Sequence, residues 1–192
     1  MEKKFELTDK FVFNTFGIKL FQIKCTKSFK YAKEGDLGGY VEKDENLDQE
    51  SDAWVYGNAQ VSGNARVSGN AQVYGNAQVY GNAWVYGNAR VYGNAQVYGD
   101  AWVYGDAQVS GDADIENDNN HCGFDCFGSC NRHTHAYLTK DNKVEITCGC
   151  FRGSIEEFEK KVEKTHSGKI YEKQYKAIIN VIKIKFGLTD LI

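Results

Sequence analysis

Residues 55–114 are ten consecutive six-residue units with no insertion: VYGNAQ, VSGNAR, VSGNAQ, VYGNAQ, VYGNAW, VYGNAR, VYGNAQ, VYGDAW, VYGDAQ and VSGDAD. Every unit opens on Val, carries Gly then Asn or Asp at its third and fourth places, and has Ala at its fifth. A fixed short period marks a solenoid, in which each unit buries its apolar atoms only against its neighbours. Coiled coils and amphipathic helices need a period of about 3.5 or 3.6 residues and are excluded. Gly-Asn is also poor helix material, because Gly loses backbone entropy and Asn competes for backbone hydrogen bonds.

A β-solenoid accounts for each position. Val is the inward residue of a short strand, and Gly-Asn turns the corner because both tolerate positive φ. Ala occupies a corner with room for one methyl group. The variable places, holding Tyr, Ser, Gln, Arg, Trp or Asp, point outward.

An aliphatic residue followed four places later by a small one resembles the hexapeptide repeat of left-handed parallel β-helices. In that family three units close one triangular coil, so side chains eighteen places apart stack. On that register the sixty residues make about three and a third coils spaced at roughly 4.8 Å. The inward columns are then Val55, Val73, Val91 and Val109; Val61, Val79 and Val97; and Val67, Val85 and Val103. Relatives of this kind are usually homotrimers, so the resemblance implies a homotrimer. The expected fold is mainly β: a left-handed parallel β-helix over 55–114, a small β-rich N-terminal cap over 1–54, a linker over 115–132, and a ββαα module over 133–192.

Charge narrows the partners. The formal net charge is −3; residues 1–54 hold nine Lys against eleven acidic residues, and residues 115–192 hold twelve basic against eleven acidic. No basic stripe tracks a phosphate backbone, which argues against double-stranded DNA. No apolar run approaches the roughly 18–20 residues of a membrane span. The start, MEKKFELTDKF, lacks the apolar core of a secretory signal, so the cytoplasm is the expected compartment. Six cysteines then read as thiols or ligands before disulfides.

Ahead of the repeat, Phe11 and Phe13 precede a turn near Gly17, and the alternation from Ile18 to Ile23 completes a hairpin. Gly38-Gly39 is read as a second turn, before Tyr40 and Val41. This region is expected to cover the solenoid's open end. The stretch from Gly35 to Glu42, GDLGGYVE, resembles the leader found before hexapeptide repeats in phage and prophage proteins.

After Asp114, IENDNNHCGFDCFGSCNRH reads as polar linker. Two strands follow around a turn at Asp141-Asn142. Ser154 with Glu157 forms a capping box that opens a helix with Ile155, Phe158 and Val162 on one face. A second helix spans Tyr171 to Phe186, with Tyr175, Ile178, Ile179 and Ile182 inward and Gly187 as its stop. The run Cys148 to Phe158, CGCFRGSIEEF, resembles the C-terminal module that accompanies the same phage leader.

Three kinds of chemistry are on offer. Cys122, Cys126, Cys130, His133, His135, Cys148 and Cys150 are ligand types that suit zinc, but the Cys-x-Cys spacing is unusual. Cys148 and Cys150 are read instead as small packed thiols at a tight strand-to-helix junction, with no metal or cofactor assigned. Hexapeptide-repeat acyltransferases use a His base in or beside the coils. Here the histidines are at 121, 133, 135 and 166, outside the repeat, which disfavours an enzyme. The third kind is recognition. Trp84 and Trp102 share a column above Arg66, with Tyr86 and Tyr104 beside them. A second column carries Trp54, Gln72, Arg90 and Gln108 beside Tyr56, Tyr74 and Tyr92, and a third carries Gln60, Gln78 and Gln96 beside Tyr80 and Tyr98. Trp, Tyr and Arg anchor interfaces and stack on planar ligands. Trp84, Trp102, Tyr86, Tyr104, Arg66 and Arg90 are therefore the candidate binding residues.

The expected function is a non-enzymatic, homotrimeric, phage-type binding protein that occludes a host protein or sequesters a nucleotide-like ligand. By the company of the family it resembles, inhibition of a bacterial defence system is an expected purpose. An acyl-CoA-dependent acyltransferase and a structural spacer are the alternatives.

Overall fold

The computed structural model describes residues 3–188. The first two and last four residues, assigned above to the cap and the C-terminal module, lie outside the described residues. The chain divides into two compact units, Met1–Asn117 and Asp118–Ile192.

In the first unit, β1 (Phe5–Phe13), β2 (Lys19–Cys25) and β3 (Leu37–Val41) lead into two-residue strands that recur every six residues. These are β4 (Trp54–Val55), β5 (Gln60–Val61), β6 (Arg66–Val67), β7 (Gln72–Val73), β8 (Gln78–Val79) and β9 (Trp84–Val85). They continue as β10 (Arg90–Val91), β11 (Gln96–Val97), β12 (Trp102–Val103), β13 (Gln108–Val109) and β14 (Asp114–Ile115). Parallel pairing always joins strands three units apart. The sides are β4-β7-β10-β13, then β6-β9-β12, then β5-β8-β11-β14 extended by β3, β2 and β1. The first unit is thus a three-sided β-solenoid, and each Val column falls on its expected side.

Sequence chemistry explains each corner. The Val and Ala of the repeat are almost wholly shielded from solvent, none more than 2% exposed. Gly81 holds φ at +72°, a left-handed conformation that costs other residues. The corner Asn side chains form ladders that the sequence reading missed. Asn64 donates to Asn82 (3.1 Å), which donates to Asp100 (2.9 Å); Asn70 donates to Asn88 (3.0 Å), which donates to Asp106 (2.8 Å). The third ladder runs Asn58, Asn76, Asn94, Asp112. Each ends on the acceptor-only carboxylate, which is why the last units read Gly-Asp.

The leading segment continues the solenoid rather than merely plugging it. β3 pairs in parallel with β5, Tyr40 opposite Gln60 and Val41 opposite Val61, while β2 and β1 add antiparallel strands outside it. Gly17, at φ +73°, closes the expected hairpin. Gly38 and Gly39 are not a turn: they lie within β3. A Cβ on Gly38 would sit 2.7 Å from the Val55 carbonyl oxygen, and one on Gly39 2.7 Å from that of Ala59. They are glycines because two backbones approach closely there. The reversal falls earlier, at Gly35 (φ +91°). Lys4 ties this segment down: its ammonium donates to the backbone carbonyls of Asp48 (2.5 Å), Ser51 (2.6 Å) and Ala53 (2.9 Å). Burial pushes its pKa down to about 8.

The second unit corrects the linker and the module. Residues 121–127, read as linker, form β15 (His121–Phe127), which pairs with β16 (Arg132–Leu138). β17 (Val144–Cys148) and β18 (Phe151–Ser154) complete an antiparallel sheet in the order β15-β16-β17-β18. The module is therefore four strands followed by α1 (Ile155–His166) and α2 (Ile170–Lys185). β15 was obscured because the polar run ENDNN before it and the glycines Gly123 and Gly128 read as loop composition. The capping box at Ser154 and Glu157 is present. The inward residues of both helices pack with Ala136, Val144, Ile146 and Cys148 into one core. At Asn142 (φ +55°) and Gly187 (φ +66°) the chain turns as expected.

Candidate binding face on the solenoid

The three sides are not equally available. On the β4 side, Trp54 is 1% exposed, with its ring against Phe5 (6.3 Å) and Phe29 (5.4 Å). Trp54 is thus committed to the core, and its column is no docking surface at that level. Above it Tyr56 donates to the Tyr31 carbonyl (3.4 Å), and Tyr74 stacks on Tyr92 at 4.9 Å. On the β5 side, Phe16 from the hairpin tip lies 5.3 Å from Tyr80, which stacks on Tyr98 at 4.9 Å. Burial pushes both Tyr56 and Tyr80 up to about 12.

The β6-β9-β12 side is different. Trp84 pairs in register with Trp102 and with Arg66. The indoles stack at 5.5 Å and 10°, and the Arg66 guanidinium lies 5.6 Å from the Trp84 ring. Tyr86 stacks on Tyr104 at 5.4 Å and 17°. Trp84, Trp102 and Tyr104 remain 39%, 45% and 54% exposed. Exposed tryptophan in a planar stack, above a guanidinium, is a surface suited to flat π systems and to interface anchoring.

Five of the six candidate residues therefore share one side. Arg90 does not: it sits on β10, between Gln72 and Gln108. The sequence reading missed the acidic ledge at the foot of the face, a short 3-10 turn at Asp44–Asn46. Leu47 bridges to Val67, and beside it a cavity of about 450 Å³ is lined by Asp44, Glu45, Asp48, Arg66, Ser68 and Trp84 among others. Asp44 is ion-paired to Lys3. The available signal was the acidic run EKDENLD just ahead of the repeat.

The ligand-type residues of the second unit scatter. Cys148 is buried and its Sγ accepts from Thr134 Oγ1 (3.3 Å), as a packed thiol should. Cys150 is exposed, and both flank a strand-to-strand turn rather than a strand-to-helix junction. Cys126 and Cys130 are also exposed, while burial pushes Cys122 up to about 11. His121 Nδ1 and His135 Nε2 share a hydrogen bond at 3.0 Å, and His133 Nδ1 meets Asp125 at 2.6 Å. Among the described residues, no group of three or more His, Cys, Asp or Glu is arranged to hold a metal ion.

Fold and face together define a β-solenoid repeat protein with an aromatic side. A family model described as the YdcK β-solenoid repeat matches residues 59–75, 71–87, 84–95 and 95–111. Those segments are coils of the solenoid, so the likeness concerns the repeat and extends to neither flanking region. The comparison with curated proteins found no match.

Proposed function

We propose that this chain is a non-enzymatic binding protein acting as a homotrimer, whose β6-β9-β12 side captures a nucleotide-like ligand. The observation that carries this reading is the exposed Trp84–Trp102 stack over Arg66. A base would stack on an indole, Arg66 would meet a phosphate, and the ledge carboxylates would accept from exocyclic amines. Docking of a host protein on the same side is the second reading, favoured by Tyr104 at 54% exposure. The phage-type resemblance of GDLGGYVE supports a setting in the cytoplasm of a bacterial host and, as purpose, inhibition of a defence system. All four histidines fall outside the first unit, which favours binding over acyl transfer.

Native mass spectrometry of the purified chain tests trimer mass and retained ligand together. Replacing Trp84 and Trp102 jointly by Ala should weaken ligand binding roughly tenfold or more, by analogy with base–aromatic stacking, while the trimer persists. Monomers from that variant would place the indoles in a subunit interface and end the binding assignment. Acyl-CoA turnover dependent on any histidine would overturn the non-enzymatic reading, and an empty trimer would favour the spacer.

A further inference from the structure

The CGCF motif has no part in the solenoid face, yet its side chains converge on one place in the second unit. Because β16 runs antiparallel to both β15 and β17, the β15–β16 turn and the Gly149-Cys150 turn emerge at the same end of the sheet. Helix α2 braces both. Gln174 Oε1 accepts from the Gly128 amide (3.0 Å), and the Tyr175 hydroxyl lies 3.8 Å from Cys148 Sγ. A Cβ on Gly128 would collide with that hydroxyl.

Between the turns and the helices is a cavity of about 270 Å³ lined by Cys130, Arg132, Cys148, Cys150, Lys161 and Tyr175, with further aromatic walls. Phe151 and Phe158 lie 5.0 Å apart, and His166 stacks on Tyr175 at 5.6 Å. Among the described residues, no Asp or Glu lines the cavity. Neither Arg132 nor Lys161 enters an ion pair among the described residues. Arg132 crosses the turn between the two motif cysteines: a Cβ on Gly149 (φ +61°) would lie 2.5 Å from its Nη1. Two unpaired cations in a half-enclosed, aromatic-walled space attract an anion. The exposed thiols beside them supply a nucleophile.

We propose that this cavity is a modification site for small anionic disulfides, with Cys150 as the nucleophile. Cys148 is unsuited because it is buried and held by Thr134. The Cys150 thiolate attacks one sulfur of the disulfide, and a new sulfur–sulfur bond forms as the old one breaks. The displaced half leaves as a thiolate, which takes up a proton equivalent to the one Cys150 lost. Arg132 and Lys161 hold the ligand's carboxylates and meet the departing negative charge.

Cys126 is an internal reference, since it is exposed but does not line the cavity. The full-length reduced protein is incubated with oxidised glutathione (anionic) or with cystamine (cationic), quenched by alkylation, and mapped by peptide mass spectrometry. With oxidised glutathione, Cys150 should react roughly tenfold faster than Cys126, the size of one well-placed charge contact. With cystamine that preference should vanish. Arg132→Gln and Lys161→Gln should each reduce the preference, and Arg132→Lys should retain it; circular dichroism checks that each variant is folded. Equal rates at the two cysteines, or a preference indifferent to the charge of the disulfide or of residue 132, would overturn the assignment.

Discussion

Two glycines of the repeat separate the cost of a corner from the cost of stacking coils. Gly81 and Gly105 hold almost the same conformation, φ +72° and +64°. A Cβ on Gly81 would lie 2.9 Å from the Gly99 amide nitrogen and 3.1 Å from its oxygen, in the coil above. That oxygen already accepts from Asn82 N–H at 2.8 Å, so the coils cannot part without stretching the ladder. A Cβ on Gly105 would meet nothing within 4 Å. Alanine at either position pays the left-handed penalty of about 1–2 kcal/mol. Only Gly81→Ala adds overpacking against backbone, typically about 1–3 kcal/mol. Gly81→Ala should therefore be the less stable of the two by about 1–3 kcal/mol. Urea titration followed by tryptophan fluorescence is a clean assay, because Trp54, Trp84 and Trp102 are the only tryptophans and all lie in the first unit. An equal loss in the two variants would show that residues eighteen places apart are not in backbone contact, and the register would fall.

Other perturbations probe packing and titration. Val85→Ala removes two buried methyl groups from a residue that is 0% exposed. It should cost about 2–3 kcal/mol by the same titration, from lost transfer energy plus the cavity left behind. Burial lowers the pKa of His121 below its ordinary value of 6.5, against the opposing pull of Asp118. The unfolded chain then binds the extra proton first, so stability should fall as pH drops below about 6.5 and level off under the lowered folded value. The His121→Gln variant should flatten that dependence in chemical denaturation followed by circular dichroism. Removing the α1 cap with Ser154→Ala should cost about 1 kcal/mol of second-unit stability, seen as a lower midpoint in denaturation followed at 222 nm helix ellipticity (the usual helix band).

Much of the fold was legible because its rules are local. The hexad defines the unit, and the resemblance to left-handed β-helices implied three units to a coil, so the pairing of Trp84 with Trp102 was expected before the structure showed it. The helices announced themselves by the Ser154 box and by apolar spacing. Misreadings arose where composition and conformation part company. Gly38 and Gly39 looked like a turn but are the two residues small enough for a strand packed against the corner of Val55 and Ala59. β15 looked like linker because it follows the polar run ENDNN and holds Gly123 and Asp125, and only its pairing with β16, further along the chain, makes it a strand.

The residues alone determined the repeat, its inward Val and Ala and its Gly-Asn corners, since each depends only on neighbouring units. Which tryptophan would be buried was decided in three dimensions: Trp54 is enclosed by Phe5 and Phe29, while Trp84 and Trp102 have the same place in the hexad and stay open to solvent. The same holds for the cavity around Cys150, whose lining comes from turns and helices far apart in the chain. A periodic sequence specifies identical sides. The non-repeating flank breaks that equivalence: Phe5 and Phe29 enclose Trp54 and Phe16 meets Tyr80, while Trp84 and Trp102 stay exposed.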